Sequence, residues 1–361
     1  MGNSWKLKAK EKFFVSRGGT LFAVIMPEKT PKQALILGSH TDSPSLKLKH
    51  NPVEHSGEKT LLLIDPYGAP QLETYFDRDL YIAGRVYIEN KGKITEKLIG
   101  SPSDSFSIPS LAIHLHDKEH SQLSKQTHLR ALYSLKKENP LPKNTLGHDL
   151  FLVPSEKPSI LRNNCISGYR IDNLASAYGT LEGFVQMKPR KDTALILALF
   201  NHEEFGSTSD EGAASPLLSH LCDRIFPSNS YIENSLILSV DNAHAIHPNY
   251  PDKYDAHNAP VLGKGIAIKH NANHKYATSG KSTALLSLVA KNKKIPLQHY
   301  EHHSDGRSGS TIGCIASANF GIQTVDIGLP QLGMHSIREL ISMSDIKDLI
   351  RLTKALCGSF S

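Results

Sequence analysis

Ala194-Leu195-Ile196-Leu197-Ala198-Leu199-Phe200-Asn201-His202-Glu203-Glu204-Phe205-Gly206-Ser207 is an apolar, strand-like run that stops abruptly at polar residues. An unbroken apolar run of this length reads as a strand buried on both faces. Two adjacent carboxylates at its end are costly to keep ionised unless a cation lies beside them.

Other apolar runs end in the same way. Ala34-Leu35-Ile36-Leu37-Gly38-Ser39 leads into His40-Thr41-Asp42, and Ser235-Leu236-Ile237-Leu238-Ser239-Val240 leads into Asp241. Gln323-Thr324-Val325-Asp326-Ile327 leads through a Gly/Pro turn to His335. Each run delivers a His, Asp or Glu just past its carboxyl end, the edge where open α/β sheets form their ligand crevices. Asp172 joins them, because Leu174 to Val185 has helical apolar spacing and places Asp172 near a helix start. His40, His335, Asp172, Asp241 and the Glu203-Glu204 pair suit two zinc-like ions, with Co2+ or Mn2+ as substitutes.

The chain has 361 residues, 39% hydrophobic, enough for a large core and more than one lobe. The formal charge is +6, but the basic residues occur only in short groups such as Lys136-Lys137 and Lys291 to Lys294. Nucleic-acid binding needs a focused patch, so that class is set aside. Cys165, Cys222, Cys314 and Cys357 form no Cys-x-x-Cys pair, which argues against a disulfide framework and a cysteine zinc site and fits a reducing cytoplasm. No apolar stretch approaches a membrane span, and Met1-Gly2-Asn3-Ser4-Trp5-Lys6 lacks a signal-peptide core and the myristoylation spacing.

Residues 13 to 37 read as two strands around Gly18-Gly19 and a third ending at His40. From 46 to 150 short alternating runs predict a β-rich insert, with strands over Leu61 to Ile64, Tyr81 to Val86 and Val86 to Glu89, a turn at Asn90-Lys91-Gly92, and a loop from Lys136 to Asn144. From 151 strands again alternate with helices, including Ser282 to Lys291 and a last helix from Ser344 to Leu356 capped by Ser344. The expectation is an α/β fold: a mixed central sheet with flanking helices in a discontinuous catalytic domain, 1–45 and 151–361, plus the inserted domain 46–150. Gly280-Lys281-Ser282 invites a phosphate-loop reading, which fails because Lys275 stands where the motif's first Gly belongs. His116-Asp117-Lys118-Glu119-His120 fits another zinc-peptidase pattern, but no third ligand is evident at useful spacing.

His40-Thr41-Asp42-Ser43-Pro44, Asp77-Arg78-Asp79-Leu80, Arg170-Ile171-Asp172-Asn173-Leu174, Asn201 to Ser207, Asp241 to Tyr250 and Pro330-Gln331-Leu332-Gly333-Met334-His335-Ser336, in that order over nearly the whole chain, resemble the aspartyl aminopeptidase family of two-metal exopeptidases. The resemblance implies two zinc ions bridged by Asp172, one held also by His40 and Asp241, the other by Glu204 and His335. It makes Glu203 the general base, and Asp42, two residues beyond His40, is suited to steady the imidazole's other nitrogen. It points to Lys269, Tyr276 and His244 as the pocket for an acidic first side chain, and to His114 as a residue serving a neighbouring subunit's active site. It further implies an insert that mediates dimerisation and dimers assembling to a dodecamer. The chain starts where the family's core is already under way, so the N-terminal helical segment is expected to be missing or shortened, with effects on packing near residues 1 to 30. Tyr75-Phe76, where the family tends to have a Trp nearby, and Ser304-Asp305-Gly306-Arg307-Ser308-Gly309 also depart from its pattern. The expected function is removal of N-terminal Asp or Glu from peptides. The alternatives are a two-metal exopeptidase or deacylase of neutral specificity and, from another class, a catalytically idle assembly or cargo protein, against which the complete ligand set speaks.

Overall fold

The computed structural model describes residues 7–116, 123–306 and 309–359. Residues Met1 to Lys6, Glu119 and His120 of the rival zinc pattern, and Arg307-Ser308 lie outside the described residues. The chain divides into two compact units, one of residues 1–42, 160–334 and 339–361, the other of 43–159 and 335–338.

An eight-stranded mixed sheet organises the first unit, in the order Lys12–Arg17, Thr20–Ile25, Thr193–Phe200, Gln33–His40, Leu236–Val240, Gln323–Gly328, Ile266–His270, Leu297–Glu301. The four strands from Thr193–Phe200 to Gln323–Gly328 are mutually parallel, and they are the four apolar runs that deliver His, Asp or Glu. Parallel pairing aligns their carboxyl ends at one edge, with Phe200 opposite His40.

Side chains alternate between the faces of this sheet. Leu35, Leu37, Leu195, Leu197 and Leu238 pack on one side with the helices Ile171–Val185, Gly280–Lys293 and Met343–Ser359. Ile36, Ala194, Ile196 and Ile237 pack on the other with Leu217–Ile225 and Ile312–Phe320. Both faces are therefore covered, which is why the strands read as continuous apolar runs rather than alternating ones. The first and last of these helices approach closely because Gly179 and Gly183, one turn apart, face Leu349 and Thr353. A Cβ on either glycine would come within 2.7 Å and 2.5 Å of those side chains.

The second unit is β-rich, a six-stranded antiparallel sheet ordered Lys93–Gly100, Leu80–Asn90, Thr145–Pro154, Ser45–Ser56, Lys59–Tyr67, Arg130–Ser134. Its core includes Leu46, Leu62, Ile64, Leu80, Leu150 and Leu152.

Three local expectations are corrected. Tyr81 to Val86 and Val86 to Glu89 form one strand, because pairing with both neighbours continues across Val86. The last helix starts at Met343, so Ser344 lies inside its first turn and its hydroxyl meets Ser342 Oγ at 2.7 Å instead of capping. The helix expected over Ser282 to Lys291 runs over Gly280–Lys293, because Ser279 caps it: its hydroxyl accepts from Ser282 N while Ser282 Oγ accepts from Ser279 N. That capping box gives the segment its phosphate-loop look.

Candidate metal centre and active site

His40 ends its strand and is 1% exposed. Its Nδ1 lies 3.1 Å from the Asp42 carbonyl and 3.4 Å from the Asp42 carboxylate. An N–H donated on that side leaves the Nε2 lone pair facing the cluster. Nε2 is 3.3 Å from Asp241 Oδ1, 3.6 Å from Asp172 Oδ1 and 4.0 Å from Glu203 Oε2. Two sets, His40 with Asp172 and Asp241, and His40 with Glu203 and Glu204, offer ligand atoms that lie within 4.8 Å of one another.

Asp42 does more than steady an imidazole. Its Oδ1 accepts the Glu203 N–H at 3.0 Å and its Oδ2 the Glu204 N–H at 3.1 Å. The two glutamates start a short 3-10 turn, Glu203–Phe205, after His202 in left-handed backbone, and Asp42 holds the free N–H groups of that turn.

Asp172 sits in the first turn of the helix Ile171–Val185 with extended backbone, φ −81° and ψ 106°, and its N–H donates to Glu339 Oε2 at 2.9 Å. Asn173, fully buried, donates to Ser39 Oγ and the Val240 carbonyl at 3.0 Å each, tying this turn to two of the ligand-bearing strands. Asn242 donates to the Ile171 carbonyl at 3.0 Å and to Gln331 Oε1.

Five carboxylates, Asp42, Asp172, Asp241, Glu203 and Glu204, thus share a buried region with His40 and one ammonium, Lys269. Burial, then the negative neighbours, push the Glu203 carboxyl up to about 7 and the Glu204 carboxyl well above its ordinary range. Burial opposes a charge on His40, but Asp241 and Asp42 outweigh it and raise the imidazole well above its usual value. Burial alone would raise Asp241, yet Lys269 and His40 hold it well below the usual carboxylate range. Protons gather here because positive charge is in deficit. Divalent cations supply that charge, and imidazole nitrogen with carboxylate oxygen is a donor set zinc accepts. The residues fit the metal.

Lys269 is 2% exposed, and its Nζ meets Asp241 Oδ2 at 3.1 Å and lies 5.3 Å from the centre of the Tyr276 ring. Tyr276 and Tyr300 are both buried, with rings 6.2 Å apart, and the exposed His244 ring lies 6.1 Å from Tyr300. Lys269, Tyr276 and His244 therefore gather around Tyr300. His335 and His114 belong to the second unit. There His335 Nδ1 is 3.0 Å from the Ala69 carbonyl, and His114 is exposed in the short turn Ile113–Leu115.

Several residues around the site escape sequence reading. Asn173 and Glu339 carry no metal-type signal, and their work depends on which strand ends adjoin the helix. Asp326 had a trace, a charge inside an apolar strand. Fully buried, it accepts from Thr311 Oγ1 and Ala277 N, each at 2.6 Å, and so holds the backbone behind Tyr276. Tyr300 lies on an edge strand whose place beside Ile266–His270 no local pattern announces.

The family described as "Aminopeptidase I zinc metalloprotease (M18)" matches residues 2–163 and 141–356 of this chain. A probable M18 family aminopeptidase 2 from Pseudomonas aeruginosa (strain UCBPP-PA14) is 33% identical over 386 residues, covering 99% of this chain and 90% of its own. One of the same name from Mycobacterium leprae (strain TN) is 36% identical over 364 residues, covering 93% and 85%. Among solved structures, the cryo-EM structure of the Ape4 and Nbr1 complex superposes with a TM-score of 0.92 at 27% identity, over 98% of this chain and 78% of the other. An M18 aminopeptidase from Thermotoga maritima shares the fold, with a TM-score of 0.86 at 24% identity over 96% and 86%. Among the described residues no helix is long and apolar enough to cross a membrane. This chain belongs to the M18 family of zinc metallo-aminopeptidases, the aspartyl aminopeptidase family, and is a hydrolase.

Proposed function

We propose that the enzyme removes N-terminal Asp or Glu from peptides with two zinc ions per subunit, His40 and Asp241 on one, Glu204 and His335 on the other, and Asp172 shared. Bound zinc would lower the pKa of a water and polarise the scissile carbonyl. Glu203, not spent on metal in this assignment, takes the water's proton and passes it to the departing amine. Asp42 aims both glutamates through their backbone, so the ligand and the base diverge from one fixed turn.

One observation carries the acidic preference. Lys269 is a buried ammonium with three N–H donors, of which Asp241 engages one, and its Nζ lies 5.3 Å from the centre of the Tyr276 ring, a setting suited to a carboxylate. The solved Saccharomyces cerevisiae mApe1 is a dodecamer. By that likeness we assign this chain a homo-oligomeric assembly; the family resemblance gives the second unit a dimerising role and His114 a place in a neighbouring active site, and the four cysteines without a Cys-x-x-Cys pair fit the cytoplasm as its setting. Turnover of Asp-, Glu- and Leu-initiated peptides by wild type and Lys269→Ala tests the specificity. Loss of one charge-assisted contact predicts a roughly tenfold to hundredfold drop in kcat/KM for the acidic peptides with little change for Leu. A wild type that prefers Leu, with Lys269→Ala no different, sinks the acidic pocket.

A further inference from the structure

The parallel ladder between Gln33–His40 and Leu236–Val240 runs from Leu35 opposite Leu236 to Gly38 opposite Ser239 and ends there. The next residues, Ser39 and Val240, each stand immediately before a candidate ligand, His40 and Asp241. Past the ladder's end a side chain joins them: Asn173 Nδ2 donates to Ser39 Oγ and to the Val240 carbonyl, each at 3.0 Å. Asn173 Oδ1 accepts the Asn242 N–H at 3.3 Å, so one amide holds the backbone on both sides of Asp241. Val240 presents an acceptor and Asn242 a donor, and a carboxamide answers both without adding charge. A carboxylate there would have no hydrogen for Val240 and would put another negative charge next to Asp172. This fully buried side chain thus reaches the immediate neighbours of His40 and Asp241 and belongs to the immediate neighbour of Asp172. Those three residues offer ligand atoms within 4.8 Å of one another. Glu203 and Glu204 are fastened differently, through Asp42.

We propose that Asn173 is a positioning residue for one zinc of the pair: it ties the two strand tips at a fixed spacing and so sets how tightly His40, Asp172 and Asp241 hold their ion. The ion assigned to Glu204 and His335 depends on Asn173 only through the shared Asp172. Like-charged ligands repel, and that repulsion acts to part them before an ion arrives. Hydrogen bonds buried away from water resist the parting. Ligands already in place need less ordering when the ion binds, so the effect appears as affinity.

This inference rests on the two-zinc reading above, and the experiment separates the two. The metal-free full chain is titrated with Zn2+ against a chromophoric chelator, as wild type, Asn173→Ala, Ser39→Ala and His40→Ala, and each metal-free protein is also melted. Wild type is expected to take up two ions and His40→Ala to lose one of them. A wild type that binds a single ion, or a His40→Ala protein that binds two as tightly as wild type, overturns the two-zinc reading and this inference with it. Where that reading holds, Asn173→Ala is expected to bind the ion that His40→Ala loses roughly tenfold to a hundredfold more weakly, with the other nearly unchanged. Ser39→Ala, which removes one partner of the amide and leaves the Val240 carbonyl, is expected to weaken the same ion by about twofold to tenfold. Equal weakening of both ions means a merely structural role and overturns the proposal, as do two unchanged affinities in Asn173→Ala. If Asn173→Ala does not melt cooperatively, Ser39→Ala decides: selective weakening of that one ion sustains the proposal, and unchanged affinities overturn it.

Discussion

The carboxylate cluster around His40 and the aromatic corner around Lys269 meet at Asp241, yet they are held by opposite means. The cluster is built of like charges that repel one another, placed by strand ends and backbone N–H groups and completed by what it binds. The corner is one cation beside the Tyr276 ring, paired with Asp241 through one of its three donors. A region of mutual repulsion is poised to receive positive charge, and a single buried cation is poised to discriminate. Affinity and selection are thereby given to different physics within one site.

The largest test of that division falls on the proton. Glu203→Gln keeps the shape and removes the base, so turnover is expected to fall by about 10²–10⁴-fold. Zinc analysis of the same protein should still return two ions per chain. Undiminished turnover removes Glu203 as base, and lost zinc makes it a ligand.

Next comes removal of the cation. Stripping both zinc ions with a chelator should lower the free energy of unfolding by about 5–8 kcal/mol when zinc had been present at 100 to 1,000 times its Kd, with recovery on adding it back. The sign of the pH effect should also invert. Glu203 is raised from its unfolded 4.5 to about 7 in the metal-free fold. A carboxyl with a raised folded pKa favours the fold when protonated, and that contribution is lost as pH rises from about 4.5 to 7. Metal-free protein is therefore expected to melt higher at pH 5 than at pH 8, and zinc-loaded protein to melt higher at pH 8, because protons displace metal. Melting curves without that inversion would mean the cluster is not charge-starved.

The smallest effect belongs to the corner. Thr311→Val removes the hydroxyl that donates to Asp326, the carboxylate behind Tyr276, and should cost about 1 kcal/mol in a denaturant titration. A change in zinc content alongside it would show that the two regions are less separate than their contacts indicate.

The same division governs what could be read from the chain. Ala34 to Ser39, Ala194 to Phe200 and Ser235 to Val240 are largely apolar runs because both faces of their sheet are covered, while Gln323 to Ile327 carries the buried Asp326. Their polar ends are therefore conspicuous, and His40, Asp172, Asp241, Glu203 and Glu204 stand out from single-chain patterns. Lys269 and Tyr276 came only through likeness to a family, because Ile266–His270 runs antiparallel to its neighbour Gln323–Gly328 and carries Lys269 inside the strand, not past its end. Tyr300 was invisible for a related reason. Its meaning comes from lying opposite Lys269, a pairing between an edge strand and a reversed one that neither segment encodes alone. In the second unit, Leu80–Asn90 reads in the sequence as two strands meeting at Val86, because alternation marks faces and says little about where a strand stops.

Asp42 has a kinematic consequence. It stands two residues past His40, at the end of a strand whose register partner Phe200 leads to Glu203 and Glu204, and it grips all three through His40 Nδ1 and the two glutamate N–H groups. That one carboxylate couples the two strand tips mechanically, so the imidazole and the backbone of the glutamate turn share a single fastening.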